Sequence, residues 1–403
     1  MHHLAERNLK LYPIARIFTK RVYLPLMAIY FVSVSGVSLT ELGVLAAFLG
    51  AVKLVIEIPT GYFSDKVSRR GSYLIAAVCG IIAMTVLITV QSKFGVFLGM
   101  FIETIGYAFF SGSGEALVHD SLSALNREDE YTKFKSRAQS VSLLANAVII
   151  ALVPLTYSID VRLPFVFGIV QFVLMFLVSY FFTDISHLKK HDVMPAINVS
   201  WLKSNKAFIS FALIFGLFAA LYTSFSDFNT IAFEEYGLDP STLGLYFSIT
   251  SLAGAVLGFF VHHLKKLRLS TYALIDIAIA FFGLIGLSFG SPVLAIIAMV
   301  VNFSFWRYRA IIYQEFVLKK FTTNHKATLL STLYNAEQLH AVWLPIVFGA
   351  LVGAYGLQTS FLIAALFCII DCRSVLYWYC SNARTTQLKA LYRYENYVKL
   401  KSH

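Results

Sequence analysis

The stretch Glu57-Ile-Pro-Thr-Gly61-Tyr-Phe-Ser-Asp65-Lys66-Val-Ser-Arg69-Arg70 stands between two apolar runs, one entering from Leu42 and one leaving at Gly71. A turn this short does not link domains. With Asp65 set among Lys66, Arg69 and Arg70, it reads as a charged hinge between two membrane spans. Gly61 offers a small surface where a helix must pass close to a neighbour. Asp65 follows four residues later and Arg69 four beyond that, so all three share a face if the helix continues.

Outward from this hinge, apolar runs repeat through all 403 residues without a soluble block. The chain is 58% hydrophobic and only 14% charged, with a mean hydropathy of +0.70. Soluble domains carry about 25% charged residues, so the composition indicates an all-α polytopic membrane protein. The net charge of +11 would suggest nucleic acid in a soluble protein. Here the bases lie in short loops on alternate sides of the spans, which is an orientation signal and not a nucleic-acid site. The four cysteines, Cys79, Cys368, Cys372 and Cys380, fall in or at the end of apolar runs without metal-binding spacing. Neither a metal nor a cofactor is expected. The polar start Met1-His-His-Leu-Ala-Glu-Arg7 lacks the apolar core of a cleavable signal, so the first span should act as its own insertion signal.

At about 20 apolar residues per span, the chain offers twelve transmembrane helices, at roughly 13–35, 41–63, 71–92, 95–119, 137–158, 162–183, 207–231, 241–263, 270–289, 292–318, 327–353 and 357–380. One set of loops collects the bases, among them Lys66, Arg69, Arg70, Arg127, Lys189, Lys190, Lys265, Lys266, Lys319 and Lys320. The opposite set holds mainly acids: Glu41, Asp160, Glu234, Glu235 and Asp239. The asymmetry places both termini in the cytoplasm and the chain in the inner (cytoplasmic) membrane. The longest internal loop divides the sequence into a six-helix bundle (1–183), a cytoplasmic linker (184–206), a second six-helix bundle (207–381) and a cytoplasmic tail (382–403). A repeat supports the division: Ala138, Ser142, Leu144, Asn146 and Ala147 lie over Ala327, Ser331, Leu333, Asn335 and Ala336 without a gap. Two pseudo-symmetric halves are the expected fold.

On these residues the chain resembles the major facilitator superfamily. That family's loop between spans two and three reads Gly-x-x-x-Asp-Arg/Lys-x-Gly/Ser-Arg-Arg/Lys, and Gly61 to Arg70 matches it throughout. Glu57-Ile-Pro-Thr60, Ser111-Gly-Ser-Gly-Glu-Ala-Leu-Val-His-Asp-Ser-Leu122 and Lys326-Ala-Thr-Leu-Leu-Ser331 are similar to a bacterial branch that includes efflux proteins. Two departures stand out. The fourth span has Glu103 where antiporters of the family often carry an arginine, and the fifth lacks their Gly-Pro pattern. The resemblance implies alternating access between two bundles. It also implies that Asp65 caps the start of span eleven, near Lys326-Ala327, when the inner side is closed. A carboxylate is favoured at a helix N-terminus; the competing reading makes Lys66 and Arg70 plain orientation anchors.

An intramembrane charge usually faces a partner or an aqueous cavity. Arg16 and Lys20, one helical turn apart in span one, are substrate-binding candidates or, with Arg21, snorkelling bases. Lys53 and Glu57 are a candidate pair or a substrate contact, and Arg307 and Arg309 lie deep in span ten. A surplus of buried bases would suit an anionic or zwitterionic substrate. Proton coupling needs a carboxyl or imidazole whose proton affinity depends on the side it faces. Glu103 leads those candidates, followed by Glu337, His340 and Asp227, and Asp276 is a further intramembrane charge. No Gly-x-Ser-x-Gly, His-Glu-x-x-His or phosphate loop occurs, so neither an enzyme nor an ATP-driven pump is expected. The expected function is secondary active transport of a small, polar or anionic organic molecule across the lipid bilayer, by efflux in exchange for protons. The alternatives are transport of an anionic metabolite or a carboxylate siderophore, and a membrane sensor without flux.

Overall fold

The structure is a computed structural model and describes residues 2–111, 113–185, 205–264, 267–320 and 326–401. Its regular elements are helical. In chain order they are α1 (His2–Ile17), α2 (Met27–Ser33), α3 (Leu39–Lys66), α4 (Arg69–Thr89), α5 (Lys93–Phe110), α6 (Ser113–Ala124), α7 (Tyr131–Leu152) and α8 (Leu163–Tyr180). After the linker come α9 (Lys206–Ser224), α10 (Ser226–Glu235), α11 (Leu243–Leu264), α12 (Leu269–Ser288), α13 (Pro292–Lys320) and α14 (Lys326–Lys401). Among the described residues, nine segments are long and apolar enough to cross a bilayer. The expected twelve would take in Leu24–Ser33 and Pro292–Trp306, apolar but shorter, and divide Thr332–Ile369 at Gly356, where φ is 78°.

The first expected span differs from its reading. Helix α1 begins at His2, and Asn8 ties it to the end of the sixth span by donating to the Thr183 carbonyl at 2.8 Å. The helix then stops at Ile17, before a 3-10 turn at Leu24–Leu26, where Pro25 supplies no N–H. Arg16 and Lys20 therefore do not stack on one helical turn. Broken backbone at membrane depth needs other partners for its carbonyls. Ser142 and Asn146, two of the repeated residues, donate to the carbonyls of Arg16 (3.0 Å) and Ile17 (3.3 Å). Gln171 of α8 donates to Phe18 at 2.7 Å and also to Lys20. Breaks recur in the fourth span, between α5 and α6, and in the seventh, between α9 and α10. Helix α14 runs on through the expected tail to Lys401.

Helices before residue 185 pack mainly on one another, as do those after 205. The main contacts across are α3 with α14 and α7 with α11. Both are tight at the end remote from the Asp65 turn. A Cβ on Gly43 would lie 2.2 Å from the Pro345 carbonyl oxygen, and one on Gly244 would lie 2.1 Å from that of Ile150. Thr40 also donates to the Gly349 carbonyl at 3.2 Å, and Ser248 to that of Ala147 at 2.9 Å. Small residues allow such backbone approach between membrane helices. At Gly61 an added Cβ would meet nothing within 4 Å among the described residues. Among the described residues, the close backbone approaches between the two helix sets lie at the remote end.

Candidate functional site

Two buried clusters of the same make-up occupy the two helix sets. In the first, the break after α1 delivers Arg21 and Tyr23 to Glu103 of α5. Arg21 Nε lies 2.8 Å from Glu103 Oε1, and the Tyr23 hydroxyl donates to the same oxygen at 2.5 Å. The guanidinium also rests on the Tyr107 ring, 5.0 Å from its centroid. Glu103 is only 3% exposed, and its Oε2 has no hydrogen-bond partner. Asp227 of α10, from the other helix set, is within electrostatic reach of Arg21.

In the second cluster, Arg309 of α13 places Nε 2.5 Å from Asp276 Oδ2 on α12, and Tyr313 donates to that oxygen at 2.8 Å. The guanidinium lies over Phe218, 4.1 Å from the ring centroid, and both terminal nitrogens are buried without a partner. Glu337 of α14 is within electrostatic reach of both Arg309 and Lys53. Lys53 does not pair with Glu57 but sits over the Tyr334 ring at 5.4 Å. An arginine, an acid and a tyrosine thus recur in each set. Arg21 and Arg309 each have a carboxylate, and Asp227 and Glu337 add two more acids. The expected surplus of bases is not present among these residues.

Arg16 is hydrogen-bonded to two neighbouring side chains. Its Nε donates to Gln139 Oε1 at 2.9 Å, and its Nη1 to the Tyr12 hydroxyl at 3.1 Å. With Lys20 it lines a cavity of about 620 Å³ between α1, α4, α5 and α6. His340 Nδ1 accepts from Trp343 Nε1 at 3.1 Å. The Arg307 side chain lies outside the described residues, as do those of Cys372 and Cys380. Among the described residues, no group of three or more His, Cys, Asp or Glu is placed to hold a metal ion.

The hinge forms a compact polar knot. Arg69, 6% exposed, reaches Asp65 at 2.9 Å and Asp120 of α6 at 2.6 Å. Ser68 caps α4 through the Gly71 N–H at 2.6 Å and donates to Asp184 at 2.6 Å. Asp184 also accepts from the Arg70 backbone N–H at 2.9 Å. No sequence motif singles out Asp120 or Asp184 as a partner of the hinge. Asp120 stood within the quoted Ser111–Leu122 stretch, but its partner is 51 residues away. Asp65 remains half-exposed. Its expected partner, the start of span eleven, has side chains outside the described residues at Lys326 and Ala327.

A family profile described as "Major Facilitator Superfamily" matches residues 14–342. The chain belongs to the major facilitator superfamily. A relative from Bacillus subtilis (strain 168), the "Uncharacterized MFS-type transporter YxaM", is 22% identical over 369 residues, covering 87% of this chain and 90% of its own length. The solved nucleoside transporter NupG superposes with a TM-score of 0.80 at 16% identity, covering 93% of this chain and 99% of its own. The POT family transporter PepTSo gives 0.72 at 12% identity, covering 96% and 99%. This chain is therefore a membrane transporter of the major facilitator type. Within that fold, the paired clusters and the knot at Arg69 bring buried charges together.

Proposed function

We propose that this chain is a proton-coupled secondary transporter of a small organic molecule, working by alternating access across the cytoplasmic membrane. The two helix sets, residues 1–183 and 207–381, are the bodies that rock. The observation that carries the reading is Glu103. It is a buried carboxylate with one oxygen held by Arg21 and Tyr23 and the other unpartnered, beside a broken span that borders both helix sets. Protonation of Glu103 would free Arg21 for Asp227 across the gap. That exchange of partners couples a proton to the movement of one set against the other.

The packing supports a state open toward the Asp65 end, and the distribution of bases makes that end cytoplasmic. Asp65, Lys66, Arg69 and Arg70 then form a latch, parked on Asp120 in this state and engaging α14 when the inner end closes. Efflux is the direction favoured by the resemblance of Glu57–Thr60 and its neighbours to export proteins. The neighbouring structures include nucleoside and peptide carriers, so the shared fold does not select a substrate. The matched acids favour a neutral or cationic molecule. A second reading, an anion such as a carboxylate, rests on the two unpartnered nitrogens of Arg309 and on Lys53.

The test is flux into proteoliposomes under an imposed proton gradient, at pH 6 and pH 8. Glu103→Gln is expected to abolish the pH response while substrate binding persists. An unchanged response removes Glu103, and absence of any flux with a broad substrate panel favours the sensor.

A further inference from the structure

A separate cavity lies within the later helix set, between α9, α10, α12, α13 and α14. Phe218, Phe225 and Phe233 line it, and no charged side chain does. Two carboxamides reach it, Asn229 from α10 and Asn302 from α13, and the Oδ1 of each is buried without a hydrogen-bond partner. Buried acceptors of this kind are rare and call for a donor. Asn302 spends its own N–H on the Ala298 carbonyl at 2.8 Å, so its oxygen remains available.

Beyond Asn302 lies a groove of about 740 Å³ between α12 and α13, apolar except for that residue. Gly283, Ala298 and Asn302 line both spaces and form the neck between them. The neck is tight, since a Cβ on Gly283 would stand 1.7 Å from Asn302 Nδ2. Along the groove Phe282 is 68% exposed and Ile297 54%. On membrane-spanning helices such apolar faces meet lipid chains.

We propose that this cavity binds an uncharged, ring-bearing amphiphile with an O–H or N–H donor, admitted from the hydrocarbon through the α12–α13 groove. Three phenylalanine rings suit a flat apolar body, the two amide oxygens suit the donor, and the missing charges exclude ions. Phe218 is shared with the second buried cluster, because Arg309 lies against its ring. An occupant is therefore one ring away from the Arg309–Asp276 pair. The site stands independently of any role for Glu103.

The test is equilibrium and stopped-flow binding to the protein in lipid nanodiscs, with indole and its isostere indene, which lacks the N–H. Indole is expected to bind saturably and about tenfold more tightly, the worth of one buried hydrogen bond. Asn229→Leu and Asn302→Leu should bring the two affinities within about twofold. Gly283→Ala, which narrows the neck, should slow indole association several-fold. Equal affinity of the two probes for the unsubstituted protein overturns the proposal. So does the absence of saturable binding, the cavity then holding only ordered water. An unchanged association rate in Gly283→Ala overturns the lateral route. The comparison of probes needs no substitution and survives a variant that fails to fold.

Discussion

At the scale of single residues, burial decides what each charge does. Arg309 and Asp276 are 3% and 2% exposed, so removing one partner strands the other's charge in a low-dielectric interior. Asp276→Asn should lower stability by about 3–5 kcal/mol, read as an earlier unfolding midpoint in detergent. Adding Arg309→Met should recover most of that loss, because an apolar replacement of both partners removes the stranded charge. Arg309 and Asp276 were each legible as buried charges in the sequence. Their pairing was not, because partners 33 residues apart on neighbouring helices leave no local spacing signal. Arg21 shows the same limit. Phe18, Thr19 and Lys20 separate it from Ile17, the end of α1, and a regular helix would have left it among the snorkelling bases. The unwound segment turns it to Glu103 instead.

At the scale of elements, the broken first span depends on side chains from two other helices. Gln171 alone serves two of its free carbonyls, and Ser142 and Asn146 serve two more. Gln171→Leu keeps the volume and removes those donors. It should destabilise the protein by about 1–3 kcal/mol, the cost of leaving buried backbone acceptors unpaired, measured by thermal unfolding in detergent. It should also disturb Arg21 and so blunt the pH response of transport. The apolar runs made the spans readable almost throughout. They could not show the break, since Phe18 to Tyr23 contains neither glycine nor proline and Pro25 is also compatible with the first turn of a new helix. The repeat at Ser142 and Asn146 was legible as a pattern, and the capping of unwound backbone by this first copy emerged only with the packing.

At the scale of the whole molecule, two contacts between helix sets hold one end together. Gly43→Ala places a methyl group 2.2 Å from the Pro345 carbonyl oxygen and must push α3 from α14. Spin labels at the outer ends of those helices should then report longer distances and a population moved away from this state. Gly50→Ala, at 3.3 Å from the Ala341 carbonyl oxygen, should do so less. Gly61→Ala meets nothing here and should leave these distances alone. If the latch end closes during the cycle, that same methyl group obstructs it, and flux should fall while the present state accumulates. Normal flux in Gly61→Ala would remove the close passage from the transport cycle.

The sequence by itself determined the membrane fold, the family and the hinge from Gly61 to Arg70. Bilayer thickness and the cost of buried charge write those features into local runs of residues. Only the tertiary structure decided which acid each arginine holds, where a span unwinds and which end of the molecule is joined. These depend on helices far apart in the chain meeting in space, and no local pattern of residues encodes such meetings.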